Sequence, residues 1–164
     1  MKHLLVLFLI LSKFSTWSQE EERVFVSLEE ARQLPKDSVF HLRLYKKKLS
    51  ELPLEILEFT QLKSLDVSKN KLEQIPLELN QLKNLTYLNL GKNKLTNFPT
   101  ALCSMTQLQE LHIHENKIYS IPDCIKYFRS LHTLDLFETG ILNLPKELAL
   151  LKNLKLVDAR GMLY

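Results

Sequence analysis

Cut every 23 residues, the chain stacks its apolar positions into columns. Pro53, Pro76, Pro99, Pro122 and Pro145 mark the period, and five full blocks align without a gap between His41 and Lys155. One column reads Leu42, Leu65, Leu88, Leu111, Leu134 and Val157; two residues on, another reads Leu44, Val67, Leu90, Ile113, Leu136 and Ala159. A spacing of two turns both side chains to one side of an extended strand. After each proline the apolar residues recur every third position, as in Leu79, Leu82 and Leu85, or Ile125, Phe128 and Leu131. That spacing predicts a tight helical or 3₁₀ return. Each block is therefore a short strand, a loop and a loosely helical return.

One such block cannot bury its apolar face alone, whereas stacked blocks share a continuous core. Asn70, Asn93 and Asn116 form a third column, at the strand exit. There a side-chain amide can satisfy backbone groups of the neighbouring coil that would otherwise be buried unpaired. Lys47, Thr139 and Met162 interrupt this ladder at its ends, which predicts looser coils there.

The blocks resemble the leucine-rich-repeat family in its 23-residue form, LxxLxLxxNxLxxLPxxIxxLxx, over residues 41 to 164. Secreted bacterial members look similar, down to a leading segment like VSLEEARQLP. The resemblance implies an α/β repeat fold: a curved solenoid with a parallel sheet on its concave side and short helical or 3₁₀ returns on its convex side. It also implies a protein-binding scaffold.

The start of the chain has a different pattern. Lys2 and His3 precede an unbroken apolar run from Leu4 to Leu11, and polar residues follow up to Ser18 and Gln19. The run is too short to span a membrane, for which about 20 apolar residues are needed, and it fits a secretory signal peptide. The organisation read from sequence is a leader at 1–18, a capping segment at 19–40 and the solenoid at 41–164. Within the cap, Ser27-Leu28-Glu29-Glu30 matches a capping box, opening a short helix that Pro35 ends near Leu34. Residues 19 to 26 should be frayed, with Val24 to Val26 packing. At the other end, no polar cap follows Val157 and Ala159. Either Met162, Leu163 and Tyr164 fold over the core, the favoured reading, or the open edge pairs with a second protomer.

Composition narrows the function. Leucine supplies 37 of 164 residues. Without the leader's Lys2 and Lys13, 20 basic residues face 19 acidic ones, a balance that excludes bulk nucleic-acid binding. Cys103 and Cys124 lie on neighbouring convex returns, offset by one coil and two residues. That places them near the upper reach of a disulfide, about 7 Å between Cα atoms, and favours free thiols.

Function must then come from the strand side chains that face away from the core. The middle column is Arg43, Asp66, Asn89, His112, Asp135 and Asp158; two residues after lie Tyr45, Ser68, Gly91, His114, Phe137 and Arg160. Aromatic and Arg side chains on an open face are typical interface anchors. The candidate partner-binding residues are Arg43, Tyr45, Asp66, Tyr87, Asn89, His112, His114, Asp135 and Phe137. The six strands expected would give a sheet about 24 Å across, room for one compact epitope. A lysine ladder at the strand exits (Lys46, Lys69 and Lys92; Lys48, Lys71, Lys94 and Lys117) reads as solvated filler more readily than as a basic edge.

One group resembles chemistry. His112 and His114 could reach a zinc ion, with Asp135 or Glu110 as third ligand. An open sheet offers no enclosing pocket, so a His112–Asp135 hydrogen bond is the simpler expectation, with no metal and no cofactor. No hydrolase or phosphate-binding motif is present. The sequence therefore describes an exported, non-enzymatic module (secreted, periplasmic or at the cell surface) that takes a protein partner on its concave face. It would be monomeric and not inserted in a membrane once the leader is cleaved. The alternatives are a metal-dependent hydrolase site on the same sheet and self-association through the C-terminal edge strand.

Overall fold

The computed structural model describes residues 22–161. The leader and the last three residues, Met162 to Tyr164, lie outside the described residues, so the expectations placed on them are not addressed by the fold. Seven parallel strands form one sheet in sequence order: β1 (Val24–Phe25), β2 (His41–Arg43), β3 (Ser64–Asp66), β4 (Tyr87–Asn89), β5 (Glu110–His112), β6 (Thr133–Asp135) and β7 (Leu156–Asp158). The register is the repeat itself: Leu42, Leu65, Leu88, Leu111, Leu134 and Val157 pair in one row across six strands.

Opposite the sheet run five-residue 3₁₀ turns at Leu54–Glu58, Leu77–Gln81, Thr100–Ser104, Asp123–Tyr127 and Lys146–Leu150. Each follows one of the periodic prolines, whose fixed φ suits a turn entrance and whose missing N–H is not needed there. The proline carbonyl accepts the first bond of each turn, as from Ile56 N at 3.1 Å and Leu102 N at 3.0 Å. Between sheet and turns lies one core, from Phe25 to Leu151, with Leu88, Leu90, Leu111 and Ile113 wholly inaccessible to water. The architecture is the solenoid that the repeat implies.

Three details differ from the sequence expectation. From Glu22, where the described residues begin, the chain adds a seventh strand: Phe25 pairs with Leu42 and is buried, while Val24 and Val26 point outward and are half exposed. Alternation along an extended strand allows only the middle residue of the three to pack. The capping helix is one turn, Leu28–Ala31, with the Ser27 hydroxyl accepting from Glu30 N at 3.1 Å. A 3₁₀ turn at Lys36–Ser38 then follows Pro35.

The third difference is a disulfide between Cys103 and Cys124, whose Cα atoms lie 5.4 Å apart. The two-residue offset is absorbed because a 3₁₀ turn rises only about 2 Å per residue and curls as it does so. An estimate that treated the returns as extended was too long, and the free-thiol expectation fails with it.

At the strand exits the Asn side chains tie coil to coil. Asn116 donates to Leu90 O (3.0 Å) in the preceding coil and to Ile113 O (2.9 Å) in its own, while its Oδ1 accepts from Leu95 N (3.0 Å). Asn70 and Asn93 repeat the pattern on their own neighbours. Where the ladder changes to Thr139, the hydroxyl is buried and donates to Leu136 O at 2.8 Å, so the coil stays closed with a shorter side chain. Lys46, Lys69, Lys92, Glu115 and Glu138 share one column and a left-handed backbone, φ between 49° and 56°. The chain turns sharply there out of each strand. The lysine column is thus partly a turn position, and Lys92 pairs with Glu115 at 2.6 Å.

Candidate functional site

The outward side chains of β2 to β7 form the concave face, and its N-terminal part holds a shallow depression of about 510 Å³. Arg43, Tyr45, Asp66, Tyr87, Asn89 and His114 line it, together with Lys69, Lys92 and Ser68. Parallel in-register pairing sets this arrangement: Arg43 stands beside Asp66, and Asp66 beside Asn89. Arg43 Nε reaches Asp66 Oδ2 at 3.3 Å. The Arg43 guanidinium and the Lys69 ammonium each lie 5.0 Å from the Tyr45 ring centre, within cation–π range. The hydrogen bond with Lys69 holds the Tyr45 phenol below its usual range, whereas burial pushes Tyr87 up. The two tyrosines thus offer unlike surfaces: one ringed by cations, the other partly buried beside His112 with Asp66 and Glu110 nearby.

The C-terminal part of the face is different. Asp135 pairs with His112 across β5 and β6. Its Oδ2 lies 3.2 Å from His112 Nδ1 and 2.9 Å from His114 Nδ1. His112 Nε2 faces Glu110 Oε2 at 3.5 Å, and the Tyr87 ring tilts over His112 with centroids 5.3 Å apart. Phe137, half buried, lies further along under the Arg160 guanidinium, 5.4 Å from its ring centre. It does not line the depression, so the nine residues singled out from sequence fall into two neighbouring groups rather than one patch.

The middle column also has a duty that the sequence reading missed. Asp66, Asn89, Asp135 and Asp158 each accept through Oδ1 from the backbone N–H two residues on, at Ser68 (2.9 Å), Gly91 (2.9 Å), Phe137 (3.1 Å) and Arg160 (3.2 Å). These are Asx turns, and they shape the exit before the left-handed residue. An Asp or Asn recurring three residues before that position is the signal that could have revealed them. His112 replaces Asx in this column, and its ring turns to Asp135 instead. Gly91 is a second missed residue: a Cβ there would overlap the His114 imidazole, which fills the space a side chain at 91 would take.

Chemically the face offers aromatic, cationic and carboxylate groups for binding. Its depression is open, the Ser68 hydroxyl donates to Asp66 Oδ1, and both cysteines are joined in the disulfide. No helix among the described residues is long and apolar enough to cross a membrane.

Comparison with known proteins agrees with this geometry. A family model described as leucine rich repeat matches residues 60–118. No curated protein matches the chain. Among solved structures, a leucine-rich-repeat protein of Leptospira interrogans superposes with a TM-score of 0.64 at 26% identity, covering 85% of this chain and 47% of its own. Internalin C2 of Listeria monocytogenes gives 0.68 at 25% identity, covering 80% and 55%. A plant peptide hormone receptor, RGFR1, in complex with RGF2, gives 0.62 at 28% identity, covering 76% and 22%. The chain spans about half the length of the two bacterial proteins and less of the receptor. Period, register and these likenesses together give the chain a leucine-rich-repeat architecture, with bacterial leucine-rich-repeat proteins among those it resembles.

Proposed function

We propose that the chain is an exported, non-enzymatic binding module that takes a protein partner on its concave face. One observation carries the reading. The buried columns repeat almost unchanged from coil to coil, while the outward columns change residue by residue and gather Arg43, Tyr45 and Tyr87 around one depression. A preorganised surface of this kind loses little entropy on binding, since the sheet already fixes each side chain's place. The plant receptor solved with RGF2 is a relative of similar fold that holds a partner. Contacts would come from Arg43, Tyr45, Asp66, Tyr87 and Asn89 on one side, and from His112, His114, Asp135 and Phe137 on the other. The mechanism is surface complementarity, with no bond made or broken in the partner.

Export is supported by the leader at 1–18, followed by a cap at 19–40 and the solenoid from 41. The Cys103–Cys124 disulfide suits an oxidising compartment. The test is capture: the chain as bait against extracellular protein, compared with Tyr87→Ala and Phe137→Ala variants. Capture should fall at least tenfold while the melting curve stays put. Equal capture by wild type and both variants would remove the concave-face reading. Tyr127→Ala, exposed on a convex return, should change nothing.

A second reading has one observation in its favour. Toward the C-terminal end Leu144 is 41% exposed where its equivalents Leu52, Ile75, Phe98 and Ile121 are buried, and the exposed Leu142, Leu150 and Leu156 add apolar surface beside it. Self-association through that end would cover them. Light scattering decides: a monomer at high concentration ends this alternative.

A further inference from the structure

The His112–His114–Asp135 group has features that a simple surface hydrogen bond does not explain. Two imidazole nitrogens converge on one oxygen, Asp135 Oδ2, at 3.2 and 2.9 Å. Only the His112 contact has hydrogen-bond geometry. His114 Nδ1 is shielded from water yet makes no hydrogen bond among the described residues, despite being the closer of the two. Its lone pair or proton is therefore misaligned with the very oxygen it faces. Each of the three residues offers one donor atom, and all lie within 4.8 Å of one another.

The surroundings hold these donors in place. Asp135 Oδ1 is tied to Phe137 N, which leaves Oδ2 turned toward the histidines. The absent side chain at Gly91 makes the bed on which His114 lies. Tyr87 covers one side of His112, and the buried Nε2 of that ring, also without a hydrogen bond, looks at the Glu110 carboxylate. An imidazole with one nitrogen toward a common centre and the other toward a carboxylate is the arrangement in which an outer acid orients a metal-binding histidine.

We propose that His112, His114 and Asp135 form a binding site for a divalent first-row transition ion of the zinc class, with Glu110 as the outer carboxylate. Two imidazoles and one carboxylate make a borderline donor set, which favours zinc-like ions over magnesium or calcium, whose preferred ligands are all oxygen. Donors bound at about 2.0–2.2 Å around a tetrahedral ion lie roughly 3.3 Å apart; the two separations to Asp135 Oδ2, 3.2 and 2.9 Å, are within tenths of an ångström of that, and the two imidazoles, within 4.8 Å of each other, close on the ion by side-chain rotation. Parallel pairing of β5 with β6 supplies the spacing, and His114 follows at the strand exit. Three protein ligands leave a fourth position on the open side of the sheet, where water or a donor from a partner can sit. The proposal does not depend on the concave-face reading, because the ion's ligands all belong to this chain.

The test is calorimetric titration of the untagged full chain with zinc chloride, and with magnesium chloride as the comparison. One equivalent of zinc should bind at micromolar concentration or below, magnesium should give no heat, and cobalt in place of zinc should give the visible bands of a tetrahedral nitrogen–oxygen site. His114→Ala and Asp135→Asn should each weaken zinc at least tenfold, Gly91→Ala should weaken it by displacing His114, and His132→Ala should leave it unchanged. Circular dichroism of each variant reports the fold separately. No zinc binding by the wild type at 100-fold excess overturns the proposal. So does zinc binding that survives undiminished in a folded His114→Ala chain.

Discussion

The inward and outward columns of the same strands obey different rules. Leu88, one residue from Asn89 along β4, is wholly buried, and its counterparts Leu65, Leu111 and Leu134 are the same residue in the same place. Asn89 and its counterparts are Arg43, Asp66, His112, Asp135 and Asp158; four of the six share one backbone turn through Oδ1, and they differ in what the rest of the side chain meets. A core position in a solenoid sees only the coils above and below, so one solution serves every coil. An outward position is free of that packing constraint: where it makes the Asx turn only Asp or Asn recurs, and elsewhere its chemistry varies from coil to coil. The lesson is a division of labour within three-residue strands: alternate residues hold the stack, and the others are available for binding.

The comparison breaks most severely if the inward side is cut. Leu90→Ala empties a fully buried site between two coils and should cost about 2–5 kcal/mol in a denaturant melt, with concave side chains untouched. A smaller loss follows from the convex side. Cys103→Ser opens a link between neighbouring returns 21 residues apart, and should cost about 2–4 kcal/mol relative to the oxidised chain. Added reductant should lower the wild-type melt and leave the variant's unchanged.

The outward side, by contrast, should barely affect stability. Arg160 holds the Asp158 carboxyl down to about 2, chiefly through its hydrogen bonds, against an ordinary value of 3.8. A depressed acid stabilises the fold while ionised, fully above about pH 4, and that share is lost as pH falls toward 2. Arg160→Ala should therefore flatten the acid limb of the stability curve between pH 4 and 2. The change should be small, because the pair is solvent-exposed and screened.

The same division explains what the sequence could reveal. Strands, returns and the pairing row were legible because apolar residues recur at a period of 23 and report burial directly. The seventh strand was not, since Val24-Phe25-Val26 is apolar throughout and carries no alternation to read. The disulfide was hidden because its feasibility depends on how tightly two 3₁₀ turns curl, a distance that no spacing encodes. In the candidate site, identities were readable but duties were not. Asp66, Asn89 and Asp135 were read as partner contacts, yet each gives one side-chain oxygen to its own backbone turn. Gly91 stands in the same outward column as His114, and its meaning emerges only from the His114 imidazole filling the space beside it.

The central claim is that each coil is held by its neighbours alone, and one deletion tests it most directly. Removing residues 64–86 joins Lys63 to Tyr87 in register, takes out one complete coil and leaves His112, His114 and Asp135 on adjacent strands. The shortened chain should keep a parallel-sheet circular dichroism spectrum and a single cooperative melt at a somewhat lower temperature. A chain that loses its strand signal altogether after this deletion would contradict the account.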